Sequence, residues 1–369
     1  MEGLLNTYRK DLAGAEDWAR AFFEKCGVPA MSFAVARPSG LAWAMAFGNS
    51  NLEYDVLAES ASLFRLGSVS KVISSTLAAR LASRGIIDLD LPIAYWLPNL
   101  PEPHRKTTLR QLFTHMGGIR HYRAEDYDPD APGGPITARN YANADEILAL
   151  FIEDELVAPP GTTVSYSSFG YSLASIVLEA ATGSSFPALV EEWISRPMGL
   201  RSLCTDDLAK TVPGRVEGYF TSQELDFLSL TMPAVEKFRG DGPFSKAPLG
   251  NPAFCWAGAG LLSNMPELAQ FGAALFDARG SAITSKERDL LFTPLTEKTA
   301  ASPPLGLGWR VDEDGQGRLR WHHAGGTVGG RASLVLYPGQ QIAIAFASNT
   351  LATPGDVLGP SSELADLFS

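Results

Sequence analysis

Ser68 and Lys71 have the clearest capacity for chemistry in this chain, and they lie in the stretch Phe64-Arg65-Leu66-Gly67-Ser68-Val69-Ser70-Lys71. Side chains three residues apart share one face of a helix, so the lysine nitrogen can reach the serine hydroxyl. A lysine held there can lose its proton and then accept the serine proton, which makes the serine a nucleophile without a histidine. Chance alone supplies about one Ser-x-x-Lys in a chain of ordinary composition. The surrounding residues must therefore support the interpretation.

The alternative is that Ser68 only caps a helix. The pattern from Val69 to Ser83 predicts a long helix that closes at Gly85, and its apolar stripe predicts that the helix is buried. A capping role would explain the serine. It would not explain Lys71, because a charge on a buried helix costs free energy.

Two further segments carry polar side chains that could complete a site. Tyr166-Ser167-Ser168 comes just before a predicted helix, and Trp321-His322-His323-Ala324-Gly325-Gly326 follows a late predicted strand into a glycine-rich turn. Neighbouring side chains alternate across a strand, so only one of the two histidines can face a cleft. Tyr166 alone would more often be a half-buried core tyrosine.

Together these segments resemble the penicillin-recognising serine hydrolases, whose motifs are S-x-x-K, Y-x-[NS] and [KH]-x-G. Leu112–Ile119 looks like the L-L-T-H-x-S-G-I of that family, with Gly117 in the serine position, and Ile87–Pro92 looks like its L-D-L-D-x-P. The similarity runs from about residue 20 to 350. It is greatest to the class C β-lactamase-like branch, which holds the family VIII carboxylesterases, D-amino-acid peptidases and mitochondrial β-lactamase-like serine proteases.

The resemblance implies a role for each matching residue. Ser68 would attack a carbonyl, with Lys71 or Tyr166 as the base, and the backbone N–H groups of Ser68 and Gly326 would form the oxyanion hole. His323 would line the site and donate hydrogen bonds. The expected substrate-binding residues are Ser168, His323, Ala324, Gly325, Trp256 and Tyr122. For Trp256, packing in the core is an equal alternative. No cofactor is implied, and no metal site is expected from the histidine spacing.

Two departures from the family pattern bear on the substrate. Ser168 stands where many members have asparagine, which removes an amide that can both donate and accept. His323 replaces a lysine, so the binding of a β-lactam carboxylate should weaken unless Arg331 or Arg120 compensates. Both departures favour a carboxylesterase acting on short-chain esters. The alternatives are a β-lactamase-like serine protease or D-amino-acid peptidase or amidase with weak β-lactamase activity, and a non-catalytic scaffold that retains the fold.

Composition excludes several other classes of function. The chain has 369 residues, a net charge of −11 and 45% hydrophobic residues. An acidic chain is a poor partner for nucleic acid, and no apolar run is long enough for a membrane span. The expected partner is a small ester or amide, and assembly into homo-oligomers stays open. Because the first twenty residues lack the apolar core of a signal peptide, we expect a cytoplasmic protein, or an exported one whose signal is absent from this sequence.

The remaining elements must position these residues. Helices are predicted at 11–26, 107–115, 143–155, 171–181, 186–195 and 265–279, strands at 31–36, 41–47, 306–311, 318–323, 331–337 and 341–348, and long loops at 122–140 and 221–252. Because strands lie near both ends, the economical packing is one antiparallel sheet with a helical region inserted. We expect an α/β protein of the α+β type with a β-lactamase/transpeptidase-like fold. Residues 1–369 would form one catalytic domain, with an α/β region at 1–65 plus 255–369 and a mainly helical region at 66–254.

Overall fold

The computed structural model describes residues 2–128, 130, 133–230, 233–276, 282–300, 302–351 and 354–369. The α-helices are α1 Glu2–Cys26, α2 Ser70–Ser83, α3 Leu109–Phe113, α4 Ala144–Leu148, α5 Ser168–Thr182, α6 Phe186–Val190, α7 Arg196–Met198, α8 Ser222–Ser229, α9 Trp256–Ala259, α10 Met265–Ala274, α11 Ser285–Phe292 and α12 Gly359–Leu367. The strands are β1 Ala30–Arg37, β2 Gly40–Asn51, β3 Val56–Leu57, β4 Phe64–Arg65, β5 Cys204–Thr205, β6 Tyr219–Thr221, β7 Phe244–Lys246, β8 Leu261–Ser263, β9 Arg310–Glu313, β10 Leu319–Thr327, β11 Gly330–Tyr337 and β12 Ile342–Ser348.

A seven-stranded sheet with the order β3-β2-β1-β12-β11-β10-β9 forms the centre of the molecule. Every neighbouring pair is antiparallel, and the two ends of the chain meet where Ala34 of β1 pairs with Ala345 of β12. This confirms the expected α+β sheet built from both ends of the chain. The strands predicted at 31–36 and 41–47 correspond to β1 and β2, which are joined by a turn at Pro38-Ser39.

Both faces of this sheet are covered. Phe33 and Ile344 point to one face, where they pack with α1 and α12, and Ala34 and Leu334 point to the other, where α10 lies. Because neither face meets water, β1 and β12 are almost entirely buried and read as continuous apolar runs rather than alternating ones.

Several element predictions were wrong in detail. The segment predicted as a loop at 221–252 contains α8 and β7, and β9 begins at Arg310 rather than at 306. The helix predicted at 143–155 ends after one turn at Leu148. The helix predicted from 265 ends at Ala274, and the last residues of that prediction, 277–279, lie outside the described residues.

The fold brings three elements to one end of the sheet. A 3₁₀ turn at Gly67–Val69 leads into α2 and lies against β10, while α5 and α9 both pack on α2. A small sheet of the order β4-β8-β5 holds the turn from the other side, since the Leu66 N–H donates to the Leu261 carbonyl at 2.9 Å. The start of α2 is therefore enclosed by β10, α5 and α9.

Within the described ranges, no single helix is long and apolar enough to cross a membrane. One consecutive pair, Ser168–Thr182 and Phe186–Met198, has sufficient combined length and apolar character but is bent by 80°.

Candidate active site

Ser68 lies in the 3₁₀ turn before α2, with its side chain partly exposed. The preceding Gly67 has φ +49°, and a Cβ there would lie 2.8 Å from the Gly326 nitrogen. Only glycine tolerates both that backbone conformation and that approach. The glycine therefore allows the serine turn to sit directly against β10.

Lys71 is fully buried one turn after Ser68. Its Nζ donates to the Ser68 Oγ at 3.1 Å, to the Ser168 Oγ at 3.0 Å and to the Gly258 carbonyl at 2.8 Å. The ammonium group has three donors, so this set uses all of them. No carboxylate pairs with Lys71 in the described part of the chain. Neutral acceptors thus hold the cation, and one of them is the predicted nucleophile.

Tyr166 approaches Ser68 from the other side and donates its hydroxyl to the Ser68 Oγ at 2.7 Å. Burial by itself would raise the pKa of Tyr166, but the charge of Lys71 and hydrogen bonds to the phenol oxygen outweigh it and hold the pKa below its usual value. The Ser68 hydroxyl is consequently in contact with both groups that could accept its proton.

His115 and His323 flank Tyr166. The His115 Nδ1 accepts the Ser167 N–H at 3.1 Å, with its ring 4.3 Å from that of Tyr166. The His323 ring lies 6.4 Å from that of Tyr166, and its Nδ1–H donates to the Ala324 carbonyl at 2.7 Å. Burial first, and then the charge of Lys71, lower the pKa of both histidines well below the usual value. Both rings are therefore neutral near pH 7.

The glycines of β10 come very close to the serine turn. A Cβ on Gly325 would lie 2.6 Å from the Ser68 nitrogen and 2.1 Å from the Leu66 carbonyl oxygen. Gly326, the next residue, is exposed. The segments that carry the Ser68 and Gly326 N–H groups, which are expected to bind an oxyanion, therefore lie next to each other. Ala324 is half-buried in the same stretch of β10.

Three other predicted substrate-binding residues are buried or half-buried. Ser168 is 2% exposed and its hydroxyl accepts from Lys71. Tyr122 packs its ring against Phe169 at 4.7 Å. Trp256, the first residue of α9, is half-buried. The Ser168 hydroxyl is therefore buried and bonded to Lys71, which also contacts Ser68.

The two arginines considered as substitute cations are engaged by protein groups. Arg120 pairs with Asp126 and Asp154, and Arg331 donates to backbone carbonyls. His322, on the opposite face of β10 from His323, lies 3.2 Å from Asp312.

Three contributors were not identified from the sequence. The Gly258 carbonyl accepts from Lys71, and a backbone oxygen has no side-chain signal. Arg310 at the start of β9 lowers the pKa of both Tyr166 and His323 by its charge. His121 is exposed beside Tyr166, with ring centroids 5.2 Å apart. Its sequence neighbours Arg120 and Tyr122 were both considered as site residues.

Two segments predicted as long loops contact each other near Tyr122. Ala247 approaches Gly329 in the turn after β10, and the Asn251 N–H donates to the Thr137 carbonyl at 2.6 Å. Tyr122, in the same loop as Thr137, packs on Phe254.

The arrangement suits acyl transfer through a serine. A hydroxyl in contact with two possible proton acceptors, next to two closely approaching backbone segments, is what such a reaction uses. In the ranges that the structure describes, no group of three or more His, Cys, Asp or Glu side chains is placed to hold a metal ion.

Comparisons with known proteins find relatives that match most or part of this chain. The human mitochondrial serine beta-lactamase-like protein LACTB is 20% identical over 417 residues, covering 90% of this chain and 73% of that protein. Esterase EstB of Burkholderia gladioli is 30% identical over 178 residues, covering 45% of this chain and 44% of EstB. The D-amino acid amidase structure from Ochrobactrum anthropi SV3 superposes with a TM-score of 0.77 at 20% identity, covering 98% of both chains.

Similarity to single proteins at this level of identity can reflect a shared fold alone. A match to a family model shows that the chain belongs to a family. The model described as Beta-lactamase matches residues 15–365, which include the serine turn, the tyrosine segment and β10. The chain accordingly belongs to the beta-lactamase family and is a serine hydrolase of the group that includes the penicillin-binding proteins.

Proposed function

We propose that this protein is a carboxylesterase that hydrolyses short-chain esters through an acyl-enzyme on Ser68. The observation that carries the proposal is the double contact of the Ser68 Oγ, 3.1 Å from the Lys71 Nζ and 2.7 Å from the Tyr166 hydroxyl. A scaffold without activity would have no need to bury Lys71 against a partly exposed serine, because burying a charge is costly.

The chemistry follows from these contacts. One member of the Lys71–Tyr166 pair must first give up its proton. That group then takes the Ser68 proton as Oγ bonds to the substrate carbonyl carbon. The N–H groups of Ser68 and Gly326 bind the resulting oxyanion. The carbon–oxygen bond to the leaving group breaks, and the alkoxide takes the proton. Water then adds to the acyl carbon by the same route and releases the acid and Ser68.

The electrostatics of the cleft favour an uncharged ester. His323 replaces the lysine found in many relatives and is neutral near pH 7. Arg120 and Arg331 are held by protein groups and cannot take its place without losing those bonds. An ester also needs less assistance than an amide, since its leaving group is better. The resemblance to EstB, an esterase, supports the same choice.

A second candidate is a D-amino-acid amidase or peptidase. Arg310 favours it, because its charge acts on Tyr166 and His323 and it forms no ion pair with a described residue. A guanidinium at the site would suit the carboxylate of a peptide. The overall similarity to the D-amino acid amidase is compatible with this candidate.

The proposal is tested by comparing hydrolysis of p-nitrophenyl acetate, p-nitrophenyl butyrate, D-alanine amide and nitrocefin. We expect the two esters to have the highest kcat/KM. Ser68→Ala should lower that value by at least about 10³-fold and abolish fluorophosphonate labelling. Ser39→Ala in the β1–β2 turn is the matched control and should leave both unchanged. A preference for D-alanine amide would support the second candidate. Full activity of Ser68→Ala would contradict both.

A further inference from the structure

The site contains an exposed polar side chain for which the reaction on Ser68 has no use. His121 lies at the mouth, with its ring 5.2 Å from the Tyr166 ring and perpendicular to it. Its Nδ1 accepts the backbone N–H of Ser168 at 3.2 Å. Ser168 in turn contacts Lys71, which contacts Ser68. His121 is thus separated from Ser68 by Tyr166 on one side and by Ser168 and Lys71 on the other.

The orientation of this imidazole is fixed by its neighbours. Its ring stacks on that of Tyr122 at 4.7 Å, and Tyr122 packs in turn on Phe169 and Phe254. A side chain held by a hydrogen bond and by aromatic packing loses little further freedom when it binds a ligand. The ring is therefore preorganised at the mouth of the site.

The hydrogen bond to Ser168 also fixes the position of the ring proton. A neutral imidazole whose Nδ1 accepts a hydrogen bond carries its proton on Nε2. Partial burial and the charge of Lys71 lower the pKa of His121 to about 4, so the ring is neutral near pH 7. The Nε2–H makes no hydrogen bond to the residues that the structure describes. The Nε2–H is therefore an available donor beside Tyr166, which is one of the two candidate bases.

Ser168 was expected to recognise a polar group of the substrate, in the position where relatives carry asparagine. In the structure the Ser168 hydroxyl accepts a hydrogen bond from Lys71, and the residue is only 2% exposed. The hydroxyl is therefore not available to a substrate. His121 is the exposed side chain anchored on the backbone of the same residue.

We propose that the Nε2–H of His121 binds a hydrogen-bond acceptor, such as an amide carbonyl oxygen, on the acyl part of the substrate. This inference rests on the proposed ester hydrolysis at Ser68. An uncharged donor suits an uncharged acceptor. Esters of N-acylated amino acids, which carry a carbonyl group a few bonds from the scissile one, form the substrate class that fits this group.

The experiment compares p-nitrophenyl N-acetylglycinate with p-nitrophenyl valerate, which has an acyl chain of similar length without the amide. His121→Phe keeps an aromatic ring and removes the donor. His121→Gln keeps a donor near the position of Nε2. We expect His121→Phe to lower kcat/KM for the acetylglycinate about tenfold, mainly through KM, and to leave the valerate within about twofold. His121→Gln should retain most of the acetylglycinate activity.

Arg123→Gln, an exposed neighbour in the same loop, is the control and should affect neither ester. Equal losses on both esters, or no loss on either, would overturn the role of His121. Failure of the proposed function is a different result, because the wild-type protein would then hydrolyse neither ester. Thermal unfolding of each variant identifies any loss that comes from misfolding.

Discussion

The hydroxyl of Ser68 contacts both the buried Lys71 side chain and the Tyr166 phenol. How readily Tyr166 loses its proton depends on the positive charges near it. Lys71 and Arg310 both lower the pKa of Tyr166 against the effect of burial. A tyrosine whose pKa is lowered is deprotonated in a larger fraction of molecules near pH 7. We therefore predict that Tyr166 is the base, and a variant that removes one of these positive charges tests the prediction.

Arg310→Gln should move the rising limb of the pH profile of kcat/KM to higher pH. The substitution removes a positive charge that lowers the pKa of Tyr166, so a higher pH is needed to form the phenolate. The measurement is the pH–rate profile with a neutral ester. Arg201→Gln, an exposed arginine that does not act on Tyr166, should leave the profile in place. A limb that stays fixed or moves to lower pH in Arg310→Gln would rule out this assignment of the base.

The contact between Ser68 and Lys71 could be predicted because the two side chains lie three residues apart on one helical face. Ser68, Lys71 and Tyr166 are adjacent in the structure, although Tyr166 is far along the chain. Arg310 and His121 could not be assigned in this way. Arg310 acts through space from the start of an edge strand, and the position of His121 depends on a hydrogen bond to a backbone N–H.

At the scale of elements, the approach of β10 to the serine turn determines the geometry of the site. The sequence predicted a strand here and a glycine-rich end to it, but β10 extends further, to Thr327. The glycines remain in the strand because a side chain at Gly325 would collide with the backbone of the serine turn. Strand propensity alone places glycine outside strands, so the extension was not predictable.

Gly325→Ala should reduce kcat by at least about 10²-fold. Its Cβ would lie 2.6 Å from the Ser68 nitrogen, so β10 and the serine turn must separate and the two backbone N–H groups would no longer converge. Gly339→Ala in the β11–β12 turn, where nothing lies within 4 Å of an added Cβ, is the matched control. The assay is kcat for p-nitrophenyl butyrate alongside thermal unfolding. Unchanged kcat in Gly325→Ala would show that this approach does not matter for catalysis.

The helix α8 is an element that the sequence could have revealed. Thr221 and Glu224 form a capping box, in which the threonine hydroxyl accepts the Glu224 N–H and the glutamate accepts the Thr221 N–H. The pattern Thr-x-x-Glu is a recognised start signal for a helix. The many turn residues of the same segment favour a loop instead.

At the scale of the whole molecule, α12 is held on the sheet by a buried ion pair. Asp314 accepts from Arg318 and from the Ser362 hydroxyl at 3.0 Å, and Arg318 also reaches Asp366 on α12. Burial would raise the pKa of Asp314, but the hydrogen bonds to Arg318 outweigh it and lower the pKa to about 2.

Asp314→Asn should lower the free energy of unfolding at pH 7 by about 2 kcal/mol. A carboxyl whose pKa is lowered by folding contributes stability above its unfolded pKa, near 4. That contribution is lost as the pH falls through about 2. The difference between wild type and variant, measured by urea unfolding, should therefore shrink between pH 5 and pH 2. Asp241→Asn, an exposed residue, should have no such effect. A difference that grows on acidification would contradict the assignment.

The pairing of β1 with β12 also determines when the catalytic centre can exist during synthesis. The Ala30 N–H donates to the Asn349 side chain, 319 residues later in the chain. Contacts of such sequence separation form slowly and late, because most of the polypeptide must be present and ordered first. The serine turn is translated long before β10, which lies against it. We therefore expect a ribosome-bound chain that has not yet exposed β10 to be inactive, because Ser68 then lacks the strand that lies against its turn.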